Sequence, residues 1–418
     1  AGRGMARLAR AARIVGTGAT RVAARSGRTP SELMEGALRA VLAQASLRLR
    51  DLDGLLAVPS LSHPRFMAAH HIATKVGLLS KGGVVVRKLD TGGAGPITAL
   101  LEAKRMVESE ACQAVAIVAG DAVGGMDSPT FLERADAGCR PPHADESSPE
   151  FLRSPVIPHG YARCTRYHMD RFGTTREQLA MVSVLMSRCA ARHPGALTRS
   201  PRTLAEVLRA PQVAPSVGLL ECARRADGGA AVVVASSRFL ERRGVARRGN
   251  GGSGDVVILG GGEASGPLHP PPVIDEEMFS CEQAARSAFT ACQLEPEDID
   301  FFGLYDCFPI CFVRAVEAVG LAPKGGGEDW VEARYRESEE AGGALSPAKF
   351  PVNTHGGLLA FGAPWEVPAM YNVHEAVRQL RWTARGRQVE RARRALVYGN
   401  GGVFSASAVA LLARAVNE

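Results

Sequence analysis

The chain has 418 residues, of which 46% are hydrophobic and 6% are aromatic, and its formal net charge is +7. This hydrophobic content is ample for two or three domains, or for one large doubled α/β unit. The positive charge fits an anionic ligand, but the sequence has no nucleic-acid-binding motif and no apolar run long enough to cross a membrane, so neither partner is expected.

Arginine dominates the first 28 residues, which hold seven arginines and no acidic residue. This composition resembles a mitochondrial transit peptide, so we expect a mitochondrial location. The stretch "ARIVGTGATRV" from Ala12 already has the pattern of a core strand, so any targeting segment is short. Nine scattered cysteines without a C-x-x-C pair predict reduced thiols in an intracellular protein, and we expect no disulfide framework and no metal site.

Strands and helices alternate through the first part of the chain. After a strand over 13–20, Thr29, Pro30 and Glu32 stand at N-cap, first-turn and capping-box positions and predict a helix start. Further strands are predicted within 51–61, 82–90 and 112–123, and helices within 63–78 and 93–110. This β-α alternation with apolar strands predicts a parallel sheet that is covered on both faces.

The pattern changes between residues 124 and 220, which are rich in Pro, Arg and His and include the helical stretch "TTREQLAMVSVLMSRCAARH". We interpret this segment as an inserted lid domain. A strand and a helix return over 227–244, and the Gly-rich stretch 245–255 reads as a linker. The predicted domains are therefore an N-terminal half (1–123 and 221–248), a loop domain (124–220) and a C-terminal half (249–418).

The second half of the sequence repeats the order of the first. The stretch "VVILGGGEASG" is similar to "RIVGTGAT", and "IDFFGLYDCF" is similar to "DLDGLLAVPSL". Further along, "VNTHGGLLAFGAP" is similar to "LDTGGAGP", and "RALVYGNGG" is similar to "AVAIVAGDA". A doubled β-α-β-α-β unit accounts for these matches.

At four of these loops the chain resembles the thiolase superfamily, above all its sterol-carrier-protein thiolase branch, and the resemblance covers nearly the whole chain. It implies an α/β thiolase-like fold with two similar five-layer α-β-α-β-α halves and an inserted loop domain over a CoA site. The nucleophilic cysteine of the family's C-x-S-G loop falls on Gly93, within "GGAGP". The family's G-H-P loop reads Gly362-Ala363-Pro364 here, so its histidine is replaced by Ala363.

The other two loops keep more of the family pattern. The H-D-C-F loop reads Tyr305-Asp306-Cys307-Phe308, and the resemblance implies that Cys307 is an acid/base group. The N-x-x-G-G turn is present as "NTHGG", and the last loop reads "GNGG". The catalytic candidates are Cys307, Asp306, Tyr305, Asn353 and His355, and the substrate-binding candidates are Gly93, Gly362, Gly401 and Gly402. Structural alternatives remain, since Cys307 could be core and Asn353 could only brace a turn.

The resemblance implies a protein that binds CoA or acyl-CoA in fatty acid or sterol metabolism. CoA enters as a ligand, and no separate cofactor is expected. Ordinary thiolase activity is not expected, because Gly93 and Ala363 replace two catalytic side chains. One alternative is an enzyme of another class, an acyltransferase or a retro-aldolase acting on acyl-CoA. Another is a non-enzymatic scaffold. Charged residues at the end of the strand over 82–90 oppose edge pairing, so we expect a monomer or a weak homodimer.

Overall fold

A computed structural model describes residues 11–139, 153–244 and 255–415. Residues 1–10 of the arginine-rich start, nearly all of the linker over 245–255 and the domain boundary at 248/249 lie outside the described residues. Within the described part of the chain, no helix is long and apolar enough to cross a membrane.

Eleven strands are described. They are β1 (Ala12–Ala19), β2 (Gly54–Ala57), β3 (Val85–Lys88), β4 (Ala114–Ala122), β5 (Gln212–Ala214), β6 (Val217–Gly218), β7 (Asp227–Ser236), β8 (Val256–Ser265), β9 (Phe301–Gly303), β10 (Arg394–Gly401) and β11 (Ala406–Arg414).

Twelve α-helices are described. They are α1 (Pro30–Gln44), α2 (Ala68–Lys75), α3 (Gly95–Glu108), α4 (Ser128–Cys139), α5 (Val156–Phe172), α6 (Arg176–Ala191), α7 (Leu204–Leu208), α8 (Ser237–Arg242), α9 (Ser280–Cys292), α10 (Pro309–Ala318), α11 (Gly327–Glu340) and α12 (Pro368–Leu380). One π-helical turn spans Gly357–Phe361.

Hydrogen bonds join nine of the described strands into one sheet, in the order β3-β2-β4-β7-β1-β8-β11-β10-β9. The order mirrors itself about the β1–β8 pair, since β7, β4, β2 and β3 follow on one side and β11, β10 and β9 on the other. A parallel bridge between Phe302 and Val352 takes the place of a counterpart to β3. The doubled α/β unit predicted from the repeated sequence pattern is thus confirmed.

The helices lie in layers around this sheet. Helix α1 packs on β1, β4 and β7, and α9 packs on β8 and β11. Helices α3 and α12 contact each other and contact strands of both halves, so they form the central layer. Across the two halves of the sheet, the order is therefore helix, half-sheet, helix, half-sheet, helix. Because α3 follows the loop that carries Gly93, that loop opens between the two halves.

Three sequence-based details need correction. The sheet is mixed, since β2–β3, β2–β4 and β9–β10 are parallel and the other neighbours are antiparallel. A short turn joins β10 to β11, and such a hairpin forces antiparallel pairing. Helix α2 is shorter than predicted, since Met67 before it has a left-handed backbone with φ 51°. The second half repeats the first incompletely, since it contributes four strands and one bridge to the sheet where the first half contributes five strands.

The start of α1 agrees with the sequence-based prediction. The Glu32 amide donates to the Thr29 hydroxyl, and the Glu32 carboxylate accepts from the Thr29 amide at 2.8 Å. Between β4 and β7 the chain forms helices α4–α7 and the β5–β6 hairpin, where the inserted lid was predicted. The domain boundaries themselves stay a prediction.

Candidate functional site

Two glycine-rich loops, one from each half, meet with their backbones in contact. A Cβ placed on Gly92 would lie 2.8 Å from the Gly401 Cα, and one placed on Gly401 would lie 2.1 Å from the Thr91 carbonyl oxygen. Gly92 and Gly402 also have φ near +60°, a conformation that side chains disfavour. Glycine is therefore required here, and the contact positions the start of α3 against the end of β10.

Tyr305 fills the space next to Gly93. A Cβ placed on Gly93 would lie 2.1 Å from the Tyr305 hydroxyl oxygen and 2.4 Å from the Asn400 carbonyl oxygen. Tyr305 follows β9 and is almost wholly buried, and burial raises the pKa of its phenol well above the usual 10. The phenol is therefore protonated at neutral pH, and it lies where a side chain on residue 93 would project.

Cys307 is hydrogen-bonded to a tyrosine from the inserted segment. Its Sγ donates to the Tyr161 hydroxyl at 3.2 Å, and that hydroxyl donates to the Gly402 carbonyl at 2.8 Å. The Asn400 side-chain amide donates to the same hydroxyl at 2.6 Å. The Tyr161 ring stacks on Phe308 with centroids 4.5 Å apart. Cys307 is thus connected through one phenol to the last glycine loop, and it stays partly exposed.

Asp306 turns away from this network. Its carboxylate accepts from the backbone amides of Leu358, at 2.8 Å, and Leu359. Complete burial raises the pKa of the Asp306 carboxyl to about 7. Gly357 is pressed against the same carboxylate, since a Cβ there would lie 2.1 Å from an Asp306 oxygen. These contacts hold the π-helical turn, and a catalytic role for Asp306 stays a prediction.

Asn353 and His355 both lie in the "NTHGG" turn, but their surroundings differ. Asn353, with φ 44°, accepts from the Leu304 amide and donates to the Leu304 carbonyl, both at 2.8 Å. It therefore braces the end of β9, as the structural alternative predicts. His355 is buried against Phe361, and burial lowers the pKa of its imidazole to about 3. Among the described residues its Nδ1 finds no hydrogen-bond partner, so the neutral ring keeps a free nitrogen.

The third loop offers no side-chain donor at the position of the family histidine. Ala363 is tied by its backbone, since its amide donates to the Arg224 carbonyl at 2.7 Å and its carbonyl accepts from the Ala226 amide. Gly362 has φ 129°, and a Cβ there would lie 2.7 Å from a methyl group of Val22. The loop is therefore fixed by backbone contacts and close packing.

Glu366 is a further acidic group close to this loop. Its Oε1 accepts from the Trp365 indole at 3.2 Å, while its Oε2 is buried without a partner among the described residues. Burial, with the nearby charges of Asp90 and Asp121, raises the pKa of Glu366 to about 8. Glu366 also acts electrostatically on Tyr305, so the two groups belong to one region.

The structure thus brings together Tyr305, Cys307, Gly93, Gly401 and Gly402. The surrounding loops are supported by Asp306, Asn353 and Gly362. The His355 ring packs against the Phe361 ring. Sequence reasoning missed Tyr161 and Glu366. An acidic residue two positions after Pro364 could have pointed to Glu366, whereas nothing local marks Tyr161, which lies 146 residues before Cys307.

Comparisons with known proteins agree with this architecture. Residues 274–414 match the family described as thiolase C-terminal domain-like. The chain is 34% identical over 273 residues to an acetyl-CoA acetyltransferase of Methanothermobacter thermautotrophicus, covering 65% of this chain and 67% of the relative. It is 26% identical over 248 residues to sterol carrier protein 2 of Gallus gallus, covering 59% of this chain and 44% of that relative.

Two solved structures share the fold. One, described as an Ltp2-ChsH2(DUF35) aldolase, has a TM-score of 0.77 and 24% identity, covering 97% of this chain and 98% of that chain. The other is a monomeric SCP2-thiolase-like protein type 1 from Mycobacterium smegmatis, with a TM-score of 0.67 and 18% identity, covering 98% of this chain and 78% of that chain. These matches confirm the thiolase-like fold. The chain therefore belongs to the thiolase superfamily, and it is similar to the sterol-carrier-protein-thiolase-like members of that superfamily.

Proposed function

We propose that this protein binds CoA thioesters in lipid metabolism and does not catalyse ordinary thiolysis or condensation. The observation that carries the proposal is the phenol of Tyr305, which stands 2.1 Å from the position of a Cβ on residue 93. A nucleophilic side chain on residue 93 would have no room, and glycine itself has no nucleophilic group. Ala363 likewise cannot donate to a thioester oxygen.

The remaining groups are suited to holding a thioester. The start of α3 presents the positive end of the helix dipole, which favours a carbonyl oxygen or a developing negative charge. The protonated phenol of Tyr305 can donate to the same oxygen. Cys307 is partly exposed and hydrogen-bonded to a neutral phenol, which suits a proton donor more than an attacking thiolate.

A binding titration with a substitution at the loop junction tests this proposal. Wild-type protein should bind acetoacetyl-CoA at one site, and Gly401→Ala should weaken binding at least about tenfold, because its Cβ would press on the Thr91 carbonyl. Gly386→Ala is the matched control, since a Cβ there meets no heavy atom within 4 Å. Equal binding by wild type and Gly401→Ala would place the ligand elsewhere.

Tyr305 also favours a second candidate, carbon–carbon bond cleavage in a β-hydroxyacyl thioester. In such a retro-aldol step a base takes the hydroxyl proton, the Cα–Cβ bond breaks, and a carbonyl product leaves a thioester enolate that is then protonated at carbon. Tyr305 would donate to the enolate oxygen, and Glu366 would take the first proton in its ionised form, which predominates above about pH 8 because burial raises its pKa to that value. A solved structure that shares the fold is described as an aldolase with a DUF35 partner.

Product analysis distinguishes this second candidate from simple binding. A β-hydroxyacyl-CoA should be cleaved to a carbonyl compound and a shorter acyl-CoA, and Tyr305→Phe should reduce the rate at least about 100-fold. Cys307→Ala should leave the rate within about twofold. Absence of cleavage both by the chain alone and after co-expression with a DUF35-type protein would reject this reaction.

The proposal also covers the cellular compartment and the oligomeric state of the protein. The arginine-rich start supports a mitochondrial location. Strand β3 is an edge strand whose Arg87 pairs with Glu102 and whose Lys88 pairs with Asp90, so its charges oppose strand-to-strand pairing. A monomer or a weak homodimer is therefore proposed, with CoA or acyl-CoA as the ligand.

A further inference from the structure

Three buried titratable side chains from three helices converge away from the glycine loops. They are His168 on α5, Glu317 on α10 and Glu328 on α11. One ring nitrogen of the histidine and one carboxylate oxygen of each glutamate lie within 4.8 Å of one another. Each residue is at most 8% exposed. Because charged groups are seldom buried without a partner, this cluster needs a chemical account.

The distance between His168 and Glu317 fits two ligands of one cation. The His168 Nε2 lies 3.1 Å from the Glu317 Oε1. In a tetrahedral zinc site, bonds of about 2.1 Å place two neighbouring ligand atoms about 3.4 Å apart, slightly more than this distance. The other ring nitrogen, Nδ1, is held by the Thr174 hydroxyl at 2.6 Å. Anchoring of the second nitrogen by a hydrogen bond is the usual arrangement of a metal-bound histidine.

Glu317 is held in one orientation by its neighbours. Its Oε1 accepts from the backbone amides of Gly325, at 3.0 Å, and Gly327, at 3.2 Å. Its Oε2 accepts from the Arg314 guanidinium at 3.0 Å. The carboxylate is therefore fixed before any ligand arrives, which lowers the entropic cost of binding.

Glu328 supplies the observation that points to a missing cation. Glu328 is 3% exposed, and its Oε2 atom is buried without a hydrogen-bond partner among the described residues. A buried carboxylate in this state is costly unless a proton or a metal ion neutralises it.

The surrounding charges do not neutralise the cluster. Arg314 is shared among Glu276, Glu282 and Glu317, and Lys324 pairs with Glu276 and Glu282. Both cations are therefore already paired with Glu276, Glu282 or Glu317, and among the described residues no ion pair to Glu328 is found. A divalent cation would supply the positive charge that Glu328 lacks.

We propose that His168, Glu317 and Glu328 bind one divalent transition-metal ion, with Zn²⁺ as the favoured ion and Mn²⁺ as the second. One imidazole nitrogen and two carboxylates are donors that both ions accept. The ion joins α5 of the inserted segment to α10 and α11, and α10 begins two residues after Cys307. Its role is therefore to hold the inserted segment in place, and it is independent of the proposed function.

A surface cavity reaches one residue of the cluster. The cavity measures about 560 Å³ between α9 and α10, and its lining includes Glu282, Glu317 and Lys324. The sequence predicts no metal site, because its cysteines form no C-x-x-C pair and the three ligands are separated by up to 160 residues in the chain.

Calorimetric titration of the full chain with Zn²⁺ tests the proposal, using protein without a histidine tag that has been dialysed against a chelator. One equivalent of Zn²⁺ should bind and raise the midpoint of thermal unfolding. Glu328→Gln removes the charge at constant size, so it should fold and should weaken binding at least about 100-fold. Glu340→Gln, an exposed residue on the same helix, is the matched control and should bind like wild type.

Two results would overturn the proposal. One is wild-type protein that binds neither Zn²⁺ nor Mn²⁺ at a stoichiometric site, which would make the cluster a network of shared protons. The other is undiminished binding by Glu328→Gln, which would place the ion at different residues. His168→Gln provides a second variant and should lose binding in the same way.

Discussion

Replacing Gly93 with alanine tests whether Tyr305 closes the position of the family nucleophile. The added Cβ would lie 2.1 Å from the Tyr305 hydroxyl oxygen and 2.4 Å from the Asn400 carbonyl oxygen, whereas ordinary contacts are 3.4 Å or longer. Overpacking of this kind typically costs about 1–3 kcal/mol. One obstacle is backbone and cannot rotate away, so we expect a loss at the upper end, about 3 kcal/mol.

Urea unfolding followed by circular dichroism measures this loss. Gly138→Ala is the control, because a Cβ there meets no heavy atom within 4 Å and alanine favours the helix by about 0.5–1 kcal/mol. In a Tyr305→Ala background the phenol is gone, so Gly93→Ala should cost at least about 1 kcal/mol less than in wild type. The residual cost comes from the Asn400 carbonyl.

An unchanged urea midpoint for Gly93→Ala in the presence of Tyr305 would refute this reasoning. So would an equal cost in both backgrounds, since the phenol would then contribute nothing to the closure. Either result would mean that the loop has room for a side chain, and the argument against a nucleophile at residue 93 would lose its geometric basis.

Three further predictions concern Asp306, Cys307 and strand β3. Burial raises the pKa of Asp306 to about 7 from an ordinary 3.8, so between about pH 4 and 7 the folded protein binds more protons than the unfolded chain. The free energy of unfolding should therefore fall as pH rises through this window, by up to about 4 kcal/mol, and Asp306→Asn should flatten that fall in urea titrations. Intact mass spectrometry after incubation with acetyl-CoA should find no adduct on Cys307, and CoA should slow its alkylation but not that of half-buried Cys292; an acetyl group on Cys307 would make it a nucleophile. Sedimentation should give a monomer or a concentration-dependent weak dimer, and a dimer that persists at the lowest concentrations would contradict the role given to the charges of β3.

Local signals in the sequence accounted for much of the fold. The capping residues Thr29 and Glu32 mark the start of α1, and the similarity of "IDFFGLYDCF" to the strand-forming "DLDGLLAVPSL" indicates strand β9 before Asp306. Strand direction was not predictable in this way, because a strand buried on both faces has the same apolar pattern in parallel and antiparallel pairs. Hence the parallel sheet was predicted and a mixed sheet was found.

The site was predicted less completely than the fold. Tyr305 and Cys307 were visible because they occupy one loop of a recognisable motif. Tyr161 bonds to Cys307 across 146 residues, and His168 meets Glu317 across 149 residues. Such pairs depend on how the inserted segment packs on the C-terminal half, and no local pattern encodes that packing. The same limit hid the close approach of Tyr305 to Gly93.

Calorimetric injection of acetoacetyl-CoA into the protein, in the presence of free CoA, tests the central claim most directly, because one trace reports both binding and turnover. We predict saturable heat for a single site, followed by a return to baseline with no sustained heat of thiolysis. Sustained reaction heat, accompanied by formation of acetyl-CoA, would contradict the account by demonstrating an active thiolase. A trace without any binding heat would contradict it as well and would favour a scaffold.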